Sequence, residues 1–297
     1  MLLAEYSHHK WAKEAEAVLE KMKVVQELLE PVNHSHRVSS IDRNWKLKTK
    51  KFPYSCTDEE GLMLYFTIVE NNFKSGFEIA TAFGYSTAYL GLAFQKTGGK
   101  CISLDCYIEE FKEDFLYDES ELFSASEKIR LEIESGKLPV GLDMAKNIAK
   151  RLGTENITDF RVGLSPNDVQ KVIGERKIDF AFIDGGHFGE QPTKDFLAVF
   201  PYLSDKCAVL FHDNNGNPYV QKAVIEAEKL LGSQAITMHT RYSLTIVGRK
   251  LHSEFIEKLK SFPLRRDSPA AKLNIILRFI SGRTLGLIRS LKNTANA

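Results

Sequence analysis

The sequence predicts an α/β chain: a doubly wound, seven-stranded, mostly parallel sheet with helical extensions on its N- and C-terminal sides. Three observations carry this. Between Ser55 and Arg249, short apolar runs alternate with stretches of helical periodicity. The apolar runs are hydrophobic at consecutive positions, which marks strands covered on both faces, as in parallel sheets. The chain has 297 residues, 43% apolar and 27% charged, an ordinary composition with enough length to bury such a core.

Taken in order, residues 5–30 place Trp11, Ala15, Val18, Leu19 and Met22 at helical spacing, and Pro31 is expected to close that helix. The segment 31–54 has no clean period and reads as irregular, so 1–54 is expected to be an N-terminal helical arm and 55–248 the core. Thr57 or Asp58 is placed to cap a helix bearing Leu62, Tyr65, Phe66 and Val69. Strands are expected over 76–80, 101–104, 159–162, 178–183, 208–211, 235–238 and 243–247, with helices over 86–95, 141–152, 190–200 and 218–231. The link from Asp105 to Phe160 is too long for a bare αβ unit and leaves an insertion at 107–139. Its acids outnumber its bases 10 to 4 over residues 107–137. Long excursions at a ligand edge act as lids or pack as extra helices, and both readings stand.

The formal charge of +1 conceals an uneven distribution, because residues 249–297 hold 11 basic against 3 acidic side chains. This basic C-terminal helical extension has an amphipathic stretch at 268–292. It offers a surface to anionic lipid or to a second subunit in a homo-oligomer, or is simply a solvated face. Cys56, Cys101, Cys106 and Cys207 form no CxxC pair and have no His at zinc-finger spacing, so free thiols in a reducing compartment are expected. No run reaches the roughly 18 apolar residues of a spanning helix, and the N-terminus has no secretory pattern, so the expected location is cytoplasmic.

Open α/β sheets bind ligands beyond the carboxyl ends of their strands. The first strand runs into Phe77-Glu78-Ile79-Ala80-Thr81-Ala82-Phe83-Gly84-Tyr85-Ser86-Thr87 and then a helix, a turn that aims backbone N–H groups and a helix N-terminus at a ligand. Ala80 and Ala82 stand where a dinucleotide-binding G-x-G-x-x-G needs glycine, which argues against a dehydrogenase. Asp105 ends the second strand, placed to accept hydrogen bonds from both hydroxyls of a ribose or to cap a helix.

With these residues the sequence resembles the class I S-adenosylmethionine-dependent methyltransferases, and the 78–87 turn is similar to the small-molecule O-methyltransferase form rather than the nucleic-acid one. The resemblance extends through Asp179, Asp184-Gly185-Gly186-His187, Asp195, Pro201-Tyr202-Leu203 and His212-Asp213. These match the D-G-x-H pattern of the subgroup that includes macrolide-sugar and catechol-type enzymes. It covers about residues 57–248, with Ala80 in place of the family's first glycine as the departure. The resemblance implies a Rossmann-like methyltransferase fold, S-adenosylmethionine as cofactor and methyl transfer to an oxygen of a small-molecule acceptor, with no nucleic-acid partner. Carried over by residue, the cofactor would be met by Glu78, Ala80, Thr81, Gly84, Ser86, Thr87 and Asp105. Ser165 would lie near the adenine, and Asp184 would face both cofactor and catalytic edge.

The resemblance also implies neighbouring fourth and fifth strands, whose tips carry Asp184, His187, His212, Asp213 and Asn214. Asp184, Asp213 and Asn214 would give three oxygen ligands, a set that suits Mg²⁺. The same residues also suit helix caps and a turn. His187, in a glycine-flanked loop, is the candidate base, since an imidazole is suited to taking a hydroxyl proton near neutral pH. Ala80 and the appendages also fit a rival reading, a non-catalytic adenosyl-binding or scaffold protein.

Overall fold

The computed structural model describes residues 9–40, 56–107, 140–214, 216–238, 240 and 242–261. Its first element, α1 (Ala12–Ser40), starts where the amphipathic pattern starts but runs on through Pro31 instead of stopping there. A proline deletes one main-chain bond, to the carbonyl four residues back, and leaves the later turns intact, so it interrupts this helix without ending it. Residues 31–40, expected to be irregular, are therefore helical. The stripe Trp11, Ala15, Val18, Met22, Val25 and Leu29 is buried in the core beside Leu62, Phe66 and Leu90.

Helix α2 (Asp58–Asn71) begins with a capping box. Glu60 N–H donates to Thr57 Oγ1 at 3.3 Å and Thr57 N–H donates to Glu60 Oε2 at 2.7 Å. There follow β1 (Ser75–Ile79), α3 (Tyr85–Thr97), β2 (Lys100–Asp105), α4 (Val140–Leu152), β3 (Thr158–Val162), α5 (Val169–Ile173), β4 (Ile178–Ile183), α6 (Gln191–Val199), β5 (Leu203–Phe211), α7 (Pro218–Leu231), β6 (Ile236–Met238), β7 (Leu244–Arg249) and α8 (Ser253–Ser261). The expected strands and helices all form, within a few residues at their ends. The short α5 was not expected, and α8 falls within the helical extension expected after residue 249.

The seven strands make one sheet in the order β3-β2-β1-β4-β5-β7-β6. The first five in that order are parallel, and β7 runs antiparallel to both β5 and β6. Alternate residues feed opposite faces. Phe180, Phe182, Ala208 and Leu210 join the core under α1 to α3 and α8, whereas Ala181, Ile183, Val209 and Phe211 join the core under α5 to α7. That double coverage is why the strands read as unbroken apolar runs. Chain direction across the sheet reverses between β1 and β4, the switch point at which such folds open a crevice.

The acidic segment 108–139 and residues 262–297 lie outside the described residues, and with them the lid and the 268–292 surface. Among the described residues no helix is long and apolar enough to cross a membrane. Among the described residues the cysteines form no disulfide, and Cys56, Cys101 and Cys207 are buried.

Candidate active site

Ladder hydrogen bonds continue one residue past the strands and line up their tips. Gly163 N–H donates to Asp105 O at 2.9 Å, Ala80 N–H to Leu104 O at 2.8 Å, Asp184 N–H to Ile79 O at 3.2 Å and His212 N–H to Ile183 O at 3.2 Å. Gly163, Asp105, Ala80, Asp184 and His212 therefore stand in a row along one edge, and the residues singled out in the sequence gather there.

The turn after β1 is left-handed at three positions: Ala80 at φ 78°, Ala82 at φ 44° and Gly84 at φ 86°. For an alanine this region costs roughly 1–2 kcal/mol, so the backbone that glycines usually provide is kept here under strain. Part of the compensation is visible, since Ala82 N–H donates to Asp105 Oδ2 at 2.7 Å. Gly84 precedes α3 with no side chain capping the helix, which leaves its N-terminal end to a ligand. A Cβ at Gly84 would stand 2.8 Å from that of Ala145, so only glycine fits.

Asp105 Oδ1 accepts from Tyr107 N–H at 2.6 Å, and with Oδ2 on Ala82 both carboxylate oxygens are oriented. Burial raises its pKa, against the lowering effect of these backbone donors. Backbone N–H groups of Thr81, Ala82, Cys106 and Tyr107 thus fix the carboxylate at the tip of β2.

Glu78 is fully buried. It accepts from Ser86 and Thr87 hydroxyls, each at 2.6 Å, and from Ser103, whose oxygen also contacts Thr81 Oγ1 at 2.6 Å. Glu78 thus locks β1 to the start of α3 and to β2. Burial pushes its pKa up to about 7 despite the three hydroxyl donors. Between its ordinary 4.5 and about 7 the folded state keeps a proton that the unfolded state has released, so this group's contribution to stability falls as pH rises through that window. The fall is on the order of 3 kcal/mol. Glu78→Gln should therefore flatten the decline in urea-unfolding free energy between pH 5 and pH 8. Parallel pH profiles for the two proteins would show that Glu78 does not carry it.

Ser165 donates to Asp195 Oδ1 at 2.5 Å, and Gln191 Nε2 donates to the same oxygen at 2.7 Å and to Ser165 O at 2.9 Å. Asp195 Oδ2 is buried without a hydrogen-bond partner beside Gly185. Burial pushes the Asp195 carboxyl up to about 7, against these donors.

At the tips of β4 and β5, one ligand-type atom from each of Asp184, His187, His212 and Asp213 lies within 4.8 Å of the others. His187 Nε2 is 3.5 Å from Asp184 Oδ1, and its Nδ1 is 3.5 Å from Asp213 Oδ2. The loop is held by Asn217, which caps α7 with its Oδ1 and donates from Nδ2 to His187 O at 3.0 Å. His212 is buried, its Nδ1 2.8 Å from Asp184 Oδ1 and its Nε2 3.3 Å from Glu60 Oε2. Burial alone would lower the His212 pKa, but the Asp184 and Glu60 carboxylates outweigh it and hold it well above the ordinary value. The partner effect is seen at Glu60, where burial works upward but His212 keeps the carboxyl below its usual range.

Of the oxygen set expected for a metal, Asp184 and Asp213 converge. Asn214 directs Nδ2 to Thr245 Oγ1 at 2.7 Å, while its Oδ1 is buried without a partner. The sequence placed His212 at this edge but gave it no role, and Glu60 was missed. Its spacing from Thr57 signalled a cap, and nothing local signalled His212, 152 positions away.

Residues 77–214 match the family model described as a methyltransferase domain. No curated protein matches the chain at a significant level. Among solved structures, an O-methyltransferase from Bacillus cereus in complex with SAH is similar over 77% of this chain and 91% of its own, at 16% identity and a TM-score of 0.51. The cofactor-bound Rv0187 from MTB covers 76% of this chain and 91% of its own, at 12% identity and a TM-score of 0.51. These likenesses establish the fold, and residues 77–214, which match the methyltransferase-domain model, span the strand tips described above.

Proposed function

We propose that the protein transfers a methyl group from S-adenosylmethionine to a hydroxyl oxygen of a small molecule in the cytoplasm, with His187 as the proton acceptor. The observation that carries this reading is the placement of Asp105, the left-handed 80–84 turn and His187 along one sheet edge. Their sequence resembles the O-methyltransferase form, and buried cysteines that form no disulfide fit a reducing compartment.

The residues present suit the cofactor. Asp105 receives the ribose, the uncapped start of α3 and the main chain from Ala80 to Gly84 receive the amino-acid end, and Ser165 with the unpartnered Asp195 Oδ2 supplies polar contacts for the adenine. Glu78, Thr81, Ser86 and Thr87 act from beneath by fixing the turn. When bound, S-adenosylmethionine supplies a methyl group on a positively charged sulfur. His187 would take the proton of the acceptor hydroxyl, freeing its oxygen to receive that methyl group. Asp184 and Asp213, each 3.5 Å from a ring nitrogen, orient the imidazole.

Asp105→Ala should weaken S-adenosylhomocysteine binding by roughly 2–4 kcal/mol, taking hydrogen bonds to a charged group at about 1.5–3 each with incomplete additivity. Isothermal titration calorimetry on the two proteins measures this directly. Unchanged affinity would remove Asp105 from the cofactor site, and an absence of any S-adenosylhomocysteine binding by the unaltered protein would remove the reading itself.

A further inference from the structure

We propose that Glu60 and His212 are positioning residues for His187: a buried chain from the first turn of α2 to the end of β5 engages Asp184 and so fixes the proton of the His187 ring on Nδ1, leaving Nε2 as the basic nitrogen. This rests on the methyl-transfer reading and deepens it, because that reading needs a base and does not say which nitrogen serves or what selects it.

The chain starts at Glu60, which is fully buried. Its Oε1 accepts from Thr240 Oγ1 at 2.5 Å and from Tyr242 N–H at 3.0 Å, and its Oε2 accepts from Thr57 N–H at 2.7 Å. Donors from two distant segments thus hold the carboxylate still. Oε2 also stands 3.3 Å from His212 Nε2, and across that ring Nδ1 stands 2.8 Å from Asp184 Oδ1. His212 is only 4% exposed, too buried for water to serve its ring, and a carboxylate oxygen faces each nitrogen. The ring therefore donates from both sides, and Asp184 is engaged by the Nδ1 side.

The His187 ring lies between two carboxylates at equal distance, Nε2 3.5 Å from Asp184 Oδ1 and Nδ1 3.5 Å from Asp213 Oδ2. A neutral imidazole has one N–H, so one nitrogen donates and the other keeps its lone pair. Distance does not choose between them, but His212 does. Its Nδ1 is 2.8 Å from Asp184 and 3.6 Å from Asp213, so Asp184 is the carboxylate already supplied with a donor and a balancing charge. Asp213 keeps the stronger pull on the His187 proton, which settles on Nδ1. The hydrogen bond made by one ring nitrogen sets the state of the other. His187 Nε2 is buried with no hydrogen-bond partner, and its lone pair is the one left to take a hydroxyl proton. Without the His212 donor, Asp184 would compete for the proton at Nε2 and the lone pair would turn toward Asp213. The loop itself does not depend on this chain, since Asn217 Nδ2 holds His187 O at 3.0 Å.

The test is nuclear magnetic resonance on the full chain with isotope-labelled histidine, in chelator and at about pH 8, above the ordinary histidine range. Long-range proton–nitrogen spectra distinguish protonated from bare ring nitrogens, and His187→Ala assigns the signals of His187. In the unaltered protein His187 should carry its proton on Nδ1. His212→Leu should shift the proton toward Nε2, and Glu60→Gln should shift it in the same direction. His212→Asn, whose amide can still donate to Asp184, should keep it on Nδ1. Thermal melts confirm that each variant is folded. A His187 ring protonated on Nε2 in the unaltered protein, or a tautomer unmoved by His212→Leu or by Glu60→Gln, would overturn the proposal. Equal shifts in His212→Leu and His212→Asn would trace the effect to lost packing and overturn it too. S-adenosylhomocysteine binding, measured calorimetrically on the same preparations, keeps its failure apart from failure of the methyl-transfer reading. Cofactor binding with an unmoved tautomer would sink only the positioning chain, and the expected tautomers without cofactor binding would sink only the reaction.

Discussion

His187→Ala should lower the methyl-transfer rate by about 10²- to 10⁴-fold, the range for loss of a positioned general base. Cofactor affinity should stay nearly intact, because His187 lies at the β4 and β5 tips while the cofactor contacts proposed above follow β1, β2 and β3. The ring is held between Asp184 and Asp213 at 3.5 Å on either side, and its backbone is tethered through Asn217. Truncation therefore removes the base and leaves the loop in place. Single-turnover rates with cofactor saturating measure the loss, and added imidazole should restore part of it. A variant that keeps its rate would assign proton removal to another group and leave in-line positioning as the main source of acceleration.

The second large effect is on stability. Trp11 is 1% exposed, stacks on Phe66 with ring centroids 4.3 Å apart and planes 7° from parallel, meets Phe255 at 6.2 Å, and donates from Nε1 to Glu70 Oε1 at 2.9 Å. Deleting so large a buried ring costs about 3–5 kcal/mol. For a chain of this size that corresponds to a fall in melting temperature of about 6–20 °C. Trp11→Phe should recover most of the packing and lose only the indole hydrogen bond. A loss below about 1 kcal/mol for Trp11→Ala would show that α1 is held by its later turns, from Val18 to Leu29.

The sheet was legible because its information is local. Each strand has apolar residues at consecutive positions, since its two faces feed two cores, and the strand tips follow directly from the strand ends. Asp105, Asp184 and His187 could therefore be placed on one edge from the chain alone. Pro31 misled because helix-breaking is a tendency that a docked helix can override. The pairing of His212 with Glu60 was hidden for a different reason: it joins the first turn of α2 to the end of β5, a contact set by tertiary packing that no spacing encodes. Ala80 and Ala82 were read as missing glycines, yet the structure keeps the glycine-like backbone with a methyl group on it. Sequence reports the residue type, and only the dihedral reports what that residue has been made to do.

The two ends of the described fold meet. His9 Nε2 lies 3.1 Å from Lys258 O and 3.2 Å from Ser261 Oγ, and Trp11 reaches Phe255 across α2. Mechanically this is a seam. Force applied between residues 9 and 261 would load these contacts first and peel them one after another, while the parallel strands inside remain unstressed until α1 and α8 have come away. A pulling experiment on the described fold should thus show a low-force opening before the main rupture, and joining residue 9 to residue 261 by a short linker should erase it.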